Sequence, residues 1–278
     1  MTAVEQATSP AGAGLQPRQL IVTLYGLYAR ERGGWLSVAA VVRLMADLGV
    51  DEPAVRSSVS RLKRRGWLAA RREADVAGYA LTDPAREVLA DGDARIFARR
   101  RAEPSDGWLL VVFSVPESER ERRHRLRAEL TRLGFGTVAP GVWIAPGHLA
   151  EEAAEVLRRR GLAGYVELFT RACVPGGSVR ASVARWWDLD ALHDRYAGFL
   201  DRHAGADAGS GWPDPARAFP DYVRLLTDWR ALPYADPGLP LDLLPADWNG
   251  ARAADLFARL RERLAGPAAE HARALIEG

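Results

Sequence analysis

The chain has 278 residues, 48% of them hydrophobic, a formal net charge of +2 at pH 7 and a single cysteine. No apolar run is long enough to cross a membrane and no basic-then-apolar signal segment is present, which excludes membrane and exported classes and predicts a cytoplasmic protein. Cys173 alone can form neither an internal disulfide nor a structural zinc site, and because no histidine is near it in the sequence, we expect a buried thiol rather than a nucleophile.

A first helix is predicted after an N-terminal tail. Residues 1–16 include a stretch rich in Thr, Ala, Gly and Pro, which predicts a disordered tail. From Gln19 to Arg32, apolar residues recur at helical spacing until Gly33 and Gly34 end the pattern. We expect this helix to complete a three-helix core with the two helices that follow.

The next segment, Leu36–Leu81, has the order of parts of a winged helix-turn-helix. An apolar-patterned helix is followed by a turn and by a second helix, for which Asp51 is a good N-cap. Two strands, Trp67–Arg72 and Tyr79–Leu81, are joined by a turn at Glu73–Gly78. These strands predict a basic wing beside the second helix.

The second helix and the wing carry cations and small hydroxyls on the side predicted to face solvent. Val55, Val59 and Leu62 recur at i, i+4 and i+7, so the other positions lie off the buried stripe. The predicted DNA-binding residues are Arg56, Ser57, Ser60, Arg61, Lys63, Arg64, Arg71 and Arg72. Cations bind phosphates, and small hydroxyls let a helix approach base edges in a major groove. Residues 17–72 hold 11 basic and 4 acidic residues, a net +7 that favours duplex DNA, although a basic amphipathic helix can also be only a solvated face.

A connector helix and a ferredoxin-like domain are predicted next. The connector, Pro84–Arg101, ends in a basic cluster at 99–101 that either contacts phosphates or is a solvated helix terminus. The following elements are strand Trp108–Val115, a charged helix to Gly134, two short strands about Pro140–Gly141, helix His148–Arg160 and strand Gly164–Arg171. The order βαββαβ is typical of the ferredoxin-like fold, which hosts many functions. Glutamates alternate with arginines on the charged helix. This pattern favours a solvated face, with His124 exposed, rather than a nucleic-acid surface.

The last third predicts helices separated by a proline-rich loop. The expected helices are Ser182–His203, Pro215–Arg230, Ala251–Leu264 and Pro267–Ile276, and Leu232–Trp248 is expected to be neither helix nor sheet. The tryptophans of this region are Trp186, Trp187, Trp212, Trp229 and Trp248. Core packing explains most of them better than a ligand pocket or dimer interface does. Residues 172–278 hold 12 basic and 15 acidic residues, so we expect this part to stay away from DNA.

Together these elements predict an α+β, multidomain protein. We expect a winged helix-turn-helix DNA-binding domain at 17–83, a connector helix at 84–102, a ferredoxin-like domain at 103–174 and a helical domain at 175–278.

Five blocks of the sequence resemble the PaaX family of transcriptional repressors, named for the regulator of bacterial phenylacetate catabolism. The blocks are Pro17–Gly26 (PRQLIVTLYG), Val55–Leu68 (VRSSVSRLKRRGWL), Trp108–Pro116 (WLLVVFSVP), Leu133–Pro146 (LGFGTVAPGVWIAP) and Asp236–Gly250 (DPGLPLDLLPADWNG). The resemblance implies an N-terminal winged helix, a central ferredoxin-like domain similar to a small CRISPR adaptation nuclease, and a helical C-terminal domain. It implies that this last domain, at 175–278, serves effector binding and dimerisation. It also implies a homodimer that binds double-stranded operator DNA and releases it when an acyl-CoA effector, phenylacetyl-CoA in the named case, is bound.

An effector site outside the winged helix follows from this resemblance, and the C-terminal region offers suitable chemistry. The candidate effector-binding residues are Arg185, Trp186, Trp187, Trp229, Arg230 and Tyr234. Aromatic surface suits an acyl group, and cations suit phosphates. The stretch Thr227–Arg230 matches the His-Glu-Tyr-Arg-like pattern of the family only at Arg230, so phenylacetyl-CoA need not be the effector if this stretch shapes the site.

Two enzyme classes compete with a regulator. Nuclease relatives of the central domain place a metal-binding aspartate at the end of the first strand, where this chain has Ser114, and a hydroxyl is a poor ligand for a hard cation. A thioester-processing enzyme lacks support, since no glycine-rich phosphate cradle, nucleophile elbow or paired catalytic carboxylates are found. The resemblance therefore implies a repressor of a catabolic operon, for which we expect no catalytic residues, metal or cofactor, and a metal-dependent nuclease is the alternative.

Overall fold

The computed structural model describes residues 15–98, 100–174, 178–207 and 213–278. The predicted tail lies almost entirely outside these ranges, as do Arg99 and Trp212. The chain divides into two compact units. In the described residues, the first unit holds Ala98–Tyr196 and Ala231–Gly250, and the second holds the segment that ends at Phe97, Ala197–Arg230 and Ala251–Gly278. Helices accompany two antiparallel sheets, as an α+β protein requires, and no helix of the described ranges is long and apolar enough to cross a membrane.

The second unit begins with four helices and a three-stranded sheet. Its elements are α1 (Pro17–Leu24), β1 (Trp35–Ser37), α2 (Val38–Asp47), α3 (Glu52–Arg64), β2 (Leu68–Glu73), β3 (Val76–Leu81) and α4 (Asp83–Phe97). β3 is the central strand and pairs antiparallel with both β1 and β2. The apolar stripes predicted from the sequence form the core, in which Ile21, Leu44 and Val59 are buried.

The predicted first helix, Gln19–Arg32, is interrupted in the structure. α1 continues into a π-helical turn at Tyr25–Ala29 and then a 3₁₀ turn. The π turn contains Gly26, a weak helix former, and the buried Tyr25 hydroxyl donates to the carbonyl oxygen of Tyr79 at 3.1 Å. The prediction also missed β1, whose three residues are too few to show strand alternation, and α4 ends before the basic cluster that was predicted to close it.

The first unit is built on a four-stranded antiparallel sheet. Its elements are β4 (Trp108–Phe113), α5 (Arg120–Arg132), β5 (Gly136–Ala139), β6 (Val142–Pro146), α6 (Ala150–Arg159), β7 (Val166–Ala172) and α7 (Val179–Trp186). The strand order is β5-β6-β4-β7. Leu126 and Leu130 of α5 and Leu157 of α6 pack in one core with Leu109 and Val111 of β4. The elements from β4 to β7 follow the predicted βαββαβ order.

Four further helices follow. They are α8 (Leu189–His203), α9 (Pro215–Trp229), α10 (Leu232–Ala235) and α11 (Asn249–Glu277). The first part of α8 and all of α10 belong to the first unit, whereas the end of α8, all of α9 and nearly all of α11 belong to the second. The C-terminal helices α9 and α11 are therefore in one compact unit with α1 to α4.

Contacts between residues about 200 positions apart hold the second unit together. The hydroxyls of Thr23 and Thr227 lie 2.8 Å apart, and Arg43 Nε of α2 donates to the carbonyl oxygen of Leu275 at 2.7 Å. Phe219 of α9 is fully buried. The predicted DNA-binding segment thus packs directly against C-terminal helices, and the domain boundaries drawn from the sequence stay a prediction.

Several predicted elements of the last third were wrong in their limits. The predicted helix Ser182–His203 is two helices, because Trp187 has extended backbone and Asp188 caps α8 by accepting from the backbone N of Ala191 at 3.0 Å. The two helices predicted after Asn249 are the single helix α11, which contains Pro267. A proline interrupts the helical hydrogen bonds, but buried residues on both sides of it keep one face packed. The proline-rich loop contains α10.

The sole cysteine is exposed, so the expectation of a buried thiol was wrong. Cys173 follows directly after the last residue of β7, where the chain leaves the sheet.

Trp187, Trp229 and Trp248 are buried, as predicted for core packing, and Trp186 is half-buried. Core packing therefore accounts for three of the four C-terminal tryptophans that the structure describes.

Candidate nucleic-acid interface

Helix α3 is fixed by its N-cap and by one buried face. Asp51 Oδ1 accepts from the backbone N of Ala54 at 2.8 Å, which satisfies one of the free amides of the first turn. Val55, Val59 and Leu62 are buried, as the sequence spacing predicts. The opposite face of α3 is consequently presented to solvent.

All eight residues predicted to bind DNA are exposed. Some have partners within the protein. Arg56 Nε donates to Glu52 Oε1 at 2.7 Å, and Lys63 Nζ lies 5.8 Å from the centroid of the Tyr79 ring. In the ranges that the structure describes, Arg61 and Arg64 have no carboxylate within ion-pair distance. These two guanidinium groups are the best placed on α3 to contact a phosphate or a base edge.

Two further cations extend this surface, and they are not among the residues predicted from the sequence to bind DNA. Burial lowers the pKa of Arg18 in α1, and the positive charges of Arg65 and Arg61 lower it further, so the three side chains share one positive field. Arg65 follows α3 directly and was detectable as the last cation of the run that starts at Arg61. Arg18 could not be found in this way, because only the packing of α1 brings it near α3. Concentrated positive charge of this kind favours a polyanion.

The wing is a tighter hairpin than predicted. Glu73 pairs with Val76, so the turn consists of Ala74 and Asp75 alone, with φ angles of 44° and 65°. Two-residue turns with positive φ at both positions match the twist of a hairpin. Arg72 donates to the carbonyl oxygen of Asp75 at 2.6 Å, which holds this basic side chain at the tip.

The wing turn carries strain that glycine should relieve. Ala74→Gly is expected to raise the free energy of unfolding by roughly 0.5–1 kcal/mol, because a left-handed alanine costs about 1–2 kcal/mol and the added flexibility of glycine offsets part of the gain. Chemical denaturation measures the change. Ala70→Gly, at an exposed position inside β2, is the matched control and should lower stability by about 0.5–1 kcal/mol. Equal effects of the two substitutions would contradict strain at the turn.

The six candidate effector residues are divided between the two units. Trp187 and Tyr234 line a cavity of about 790 Å³ in the first unit. In the same unit, Trp186 packs edge-on against Trp108 with a centroid separation of 5.8 Å, and the exposed Arg185 donates to Ser182 Oγ at 3.0 Å.

Trp229 and Arg230 belong to the second unit, and both have structural partners there. Trp229 stacks on Phe257 with a centroid separation of 4.5 Å, and its Nε1 donates to the carbonyl oxygen of Ile96 at 3.0 Å. Arg230 donates to the carbonyl oxygen of Gln19 at 3.2 Å. The structure therefore gathers only part of the predicted effector set in one place.

Ser114 is held by a backbone hydrogen bond. The backbone N of Ser114 donates to the carbonyl oxygen of Tyr165 at 3.1 Å, which joins the residue after β4 to the residue before β7. Within the described residues, no group of three or more His, Cys, Asp or Glu side chains is placed to hold a metal ion.

Comparisons with known proteins cover most of the chain. Family models match residues 16–85 ("PaaX-like protein"), 101–183 ("PaaX protein central Cas2-like domain") and 187–274 ("PaaX-like protein C-terminal domain"). The "Transcriptional repressor PaaX" of Escherichia coli (strain K12) is 28% identical over 258 residues, which are 90% of this chain and 80% of that protein. The solved structure of the uncharacterized protein Rv0674 from Mycobacterium tuberculosis has a similar fold, with a TM-score of 0.59, 23% identity and coverage of 92% of this chain and 97% of that one. Through the three successive family models and the similarity over nearly its whole length, this chain belongs to the PaaX family.

Proposed function

We propose that the protein is a dimeric transcriptional repressor of a catabolic operon, which an acyl-CoA effector releases from its operator. The observation that carries the proposal is the exposed face of α3, where Arg61 and Arg64 are free of internal carboxylate partners in the described residues. Guanidinium groups bind phosphates and guanine edges, and a helix of this size fits a major groove. The similarity to a transcriptional repressor supports a DNA-binding regulator that is not an enzyme.

Two assignments of fold support the proposal. The order helix, strand, helix, helix and hairpin in the second unit is that of a winged helix-turn-helix, with α3 as recognition helix and β2–β3 as wing. The sheet of the first unit has its first and third strands in the centre, the arrangement of a ferredoxin-like domain. We assign the first of these segments to DNA binding.

The alternative function, a metal-dependent nuclease, has weaker support. Ser114 directly follows β4, at the position where the related nucleases carry an aspartate, and a hydroxyl does not replace a carboxylate on a hard cation. Arginines of α5 form ion pairs with glutamates. Arg123 Nη2 lies 2.8 Å from Glu117 Oε2, and Arg132 Nη2 lies 2.7 Å from Glu129 Oε2. Such pairs reduce the positive field that a nucleic-acid substrate needs.

The operator is expected to be an imperfect inverted repeat. One winged helix covers few base pairs, and two-fold pairing doubles the contact area. Selection of bound sequences from random duplexes, followed by footprinting with the full chain, should give two half-sites separated by about one helical turn or a multiple of it. Sedimentation of the free protein should show a dimer. A monomer at micromolar concentration together with a footprint of one half-site would rule out this assembly.

A further inference from the structure

A cavity of about 790 Å³ in the first unit combines an aromatic floor with a basic rim. α5, α8 and the segment around α10 contribute its walls. The volume lies within the range of small-molecule sites, which is about 300–1,000 Å³. The walls come from three separate parts of the sequence, so no sequence pattern could have revealed the cavity.

The floor of the cavity is buried and apolar. Phe135, Trp187 and Leu192 line it and are buried. Trp187 is held by a hydrogen bond from its Nε1 to the carbonyl oxygen of Gly134 at 2.8 Å. It also covers Gly136 so closely that a Cβ there would lie 2.7 Å from the indole ring. An apolar ligand group can therefore pack on the floor with little rearrangement.

Cations outnumber carboxylates at the rim. Arg127, Arg132 and Arg195 line the cavity together with the exposed His124. Arg132 is paired with Glu129, but in the described ranges neither Arg127 nor Arg195 has a carboxylate within ion-pair distance. The one carboxylate among the lining residues, Asp188, is occupied as the N-cap of α8. Two exposed guanidinium groups are thus available to an anion at the edge of an apolar floor.

We propose that this cavity binds an amphiphilic organic anion, with its apolar group on Phe135, Trp187 and Tyr234 and its phosphate, sulfonate or carboxylate group on Arg127 and Arg195. The inference rests on the proposed function in one respect, since it makes this cavity the effector site. It assigns the anion contacts to Arg127 and Arg195 in place of the sequence candidates Arg185 and Arg230.

The cavity walls are covalently continuous with the unit that carries α3. The first part of α8 lines the cavity through Leu192 and Arg195. The same helix continues into the second unit, where the ring centroids of Phe199 and Trp229 lie 5.4 Å apart. Ala231 of the wall lies two residues after the end of α9, which packs on α1, and Tyr234 lies in α10. A ligand that binds two conformations of these segments with different affinity would shift operator affinity by at most the ratio of its two affinities, and the operator would shift the affinity for the ligand by that same coupling factor.

The test uses two probes and two matched double variants. The probes are phenylacetyl-CoA and 8-anilinonaphthalene-1-sulfonate, an aromatic anion that carries no coenzyme. Arg127→Ala/Arg195→Ala removes the rim cations, and Arg120→Ala/Arg125→Ala removes two exposed cations of α5 that do not line the cavity. Calorimetry and tryptophan fluorescence measure probe binding, and operator binding is followed in parallel. Since all four positions are exposed, we expect both variants to fold, which thermal unfolding checks.

Both probes should bind the wild-type protein, and the rim variant should weaken binding about tenfold or more while the control stays within about twofold. If phenylacetyl-CoA releases the operator equally in both variants, the cavity assignment is wrong and the proposed function stands. If only the sulfonate binds, with the expected dependence on the rim, the cavity assignment stands and this effector is excluded. If neither probe binds at millimolar concentration, the cavity assignment is overturned, and DNA binding by α3 is untouched.

Discussion

Replacing Arg61 by alanine is expected to weaken operator binding by about 5- to 150-fold, which corresponds to 1–3 kcal/mol for a bidentate base contact. The guanidinium is exposed on α3 and has no internal carboxylate partner in the described residues, so its removal leaves the folded protein intact. Arg18 and Arg65 lie in the same positive field, and they retain part of the non-specific attraction. Affinity is measured by equilibrium binding to the selected operator over a range of salt concentrations.

The salt series distinguishes two roles of Arg61. If it contacts a guanine, one operator position becomes permissive; if it contacts a phosphate, affinity falls uniformly and the salt slope decreases by about 1. Arg273→Ala removes the same charge from an exposed position of α11 and should change affinity little. Unchanged operator affinity of a folded Arg61→Ala protein would remove α3 from the interface.

Local patterns were sufficient to predict α2, α3 and the β2–β3 hairpin of the predicted DNA-binding segment, but not the three-residue strand β1. The i, i+4, i+7 spacing of Val55, Val59 and Leu62 and the N-cap Asp51 depend on neighbouring residues only, and the structure has the helix there. The exposed positions of α3 follow from the same spacing. The two-residue turn was missed because it contains no glycine and because Ala74 is not a residue that such turns favour.

Long-range packing could not be predicted from the sequence. The hydrogen bonds from Arg43 to Leu275 and between Thr23 and Thr227 join segments with no shared periodicity. For the same reason, the proximity of Arg18 to Arg61 was not foreseen. The candidate effector residues were chosen by composition, and Trp229 proved to stack inside the second unit, whereas Trp187 lines the cavity of the first.

Phe219→Ala in α9 is expected to destabilise the predicted DNA-binding segment, although the substitution is in the last third of the chain. Phe219 is fully buried and its ring contacts Tyr28, which follows α1, and His271 of α11 at centroid distances of 5.9 and 5.6 Å. Loss of a buried phenylalanine costs about 3–5 kcal/mol. Because α9 and α11 share a compact unit with α1 to α4, amide hydrogen exchange in α2 and α3 should accelerate by roughly a hundredfold or more.

Leu130→Ala is the matched control in the first unit. Leu130 is fully buried in the core of that unit, and its truncation should cost about 2–5 kcal/mol. Exchange should then accelerate in α5 and β4, while amides of α2 and α3 keep most of their protection, because the two cores consist of different residues. The reverse result, with α2 and α3 sensitive to Leu130→Ala and indifferent to Phe219→Ala, would show that the C-terminal helices do not stabilise the DNA-binding segment. With the expected result, a conformational change in α9 or at the end of α8 would alter the packed core that supports α3. Operator release would then require no separate hinge between a DNA-binding domain and a helical domain.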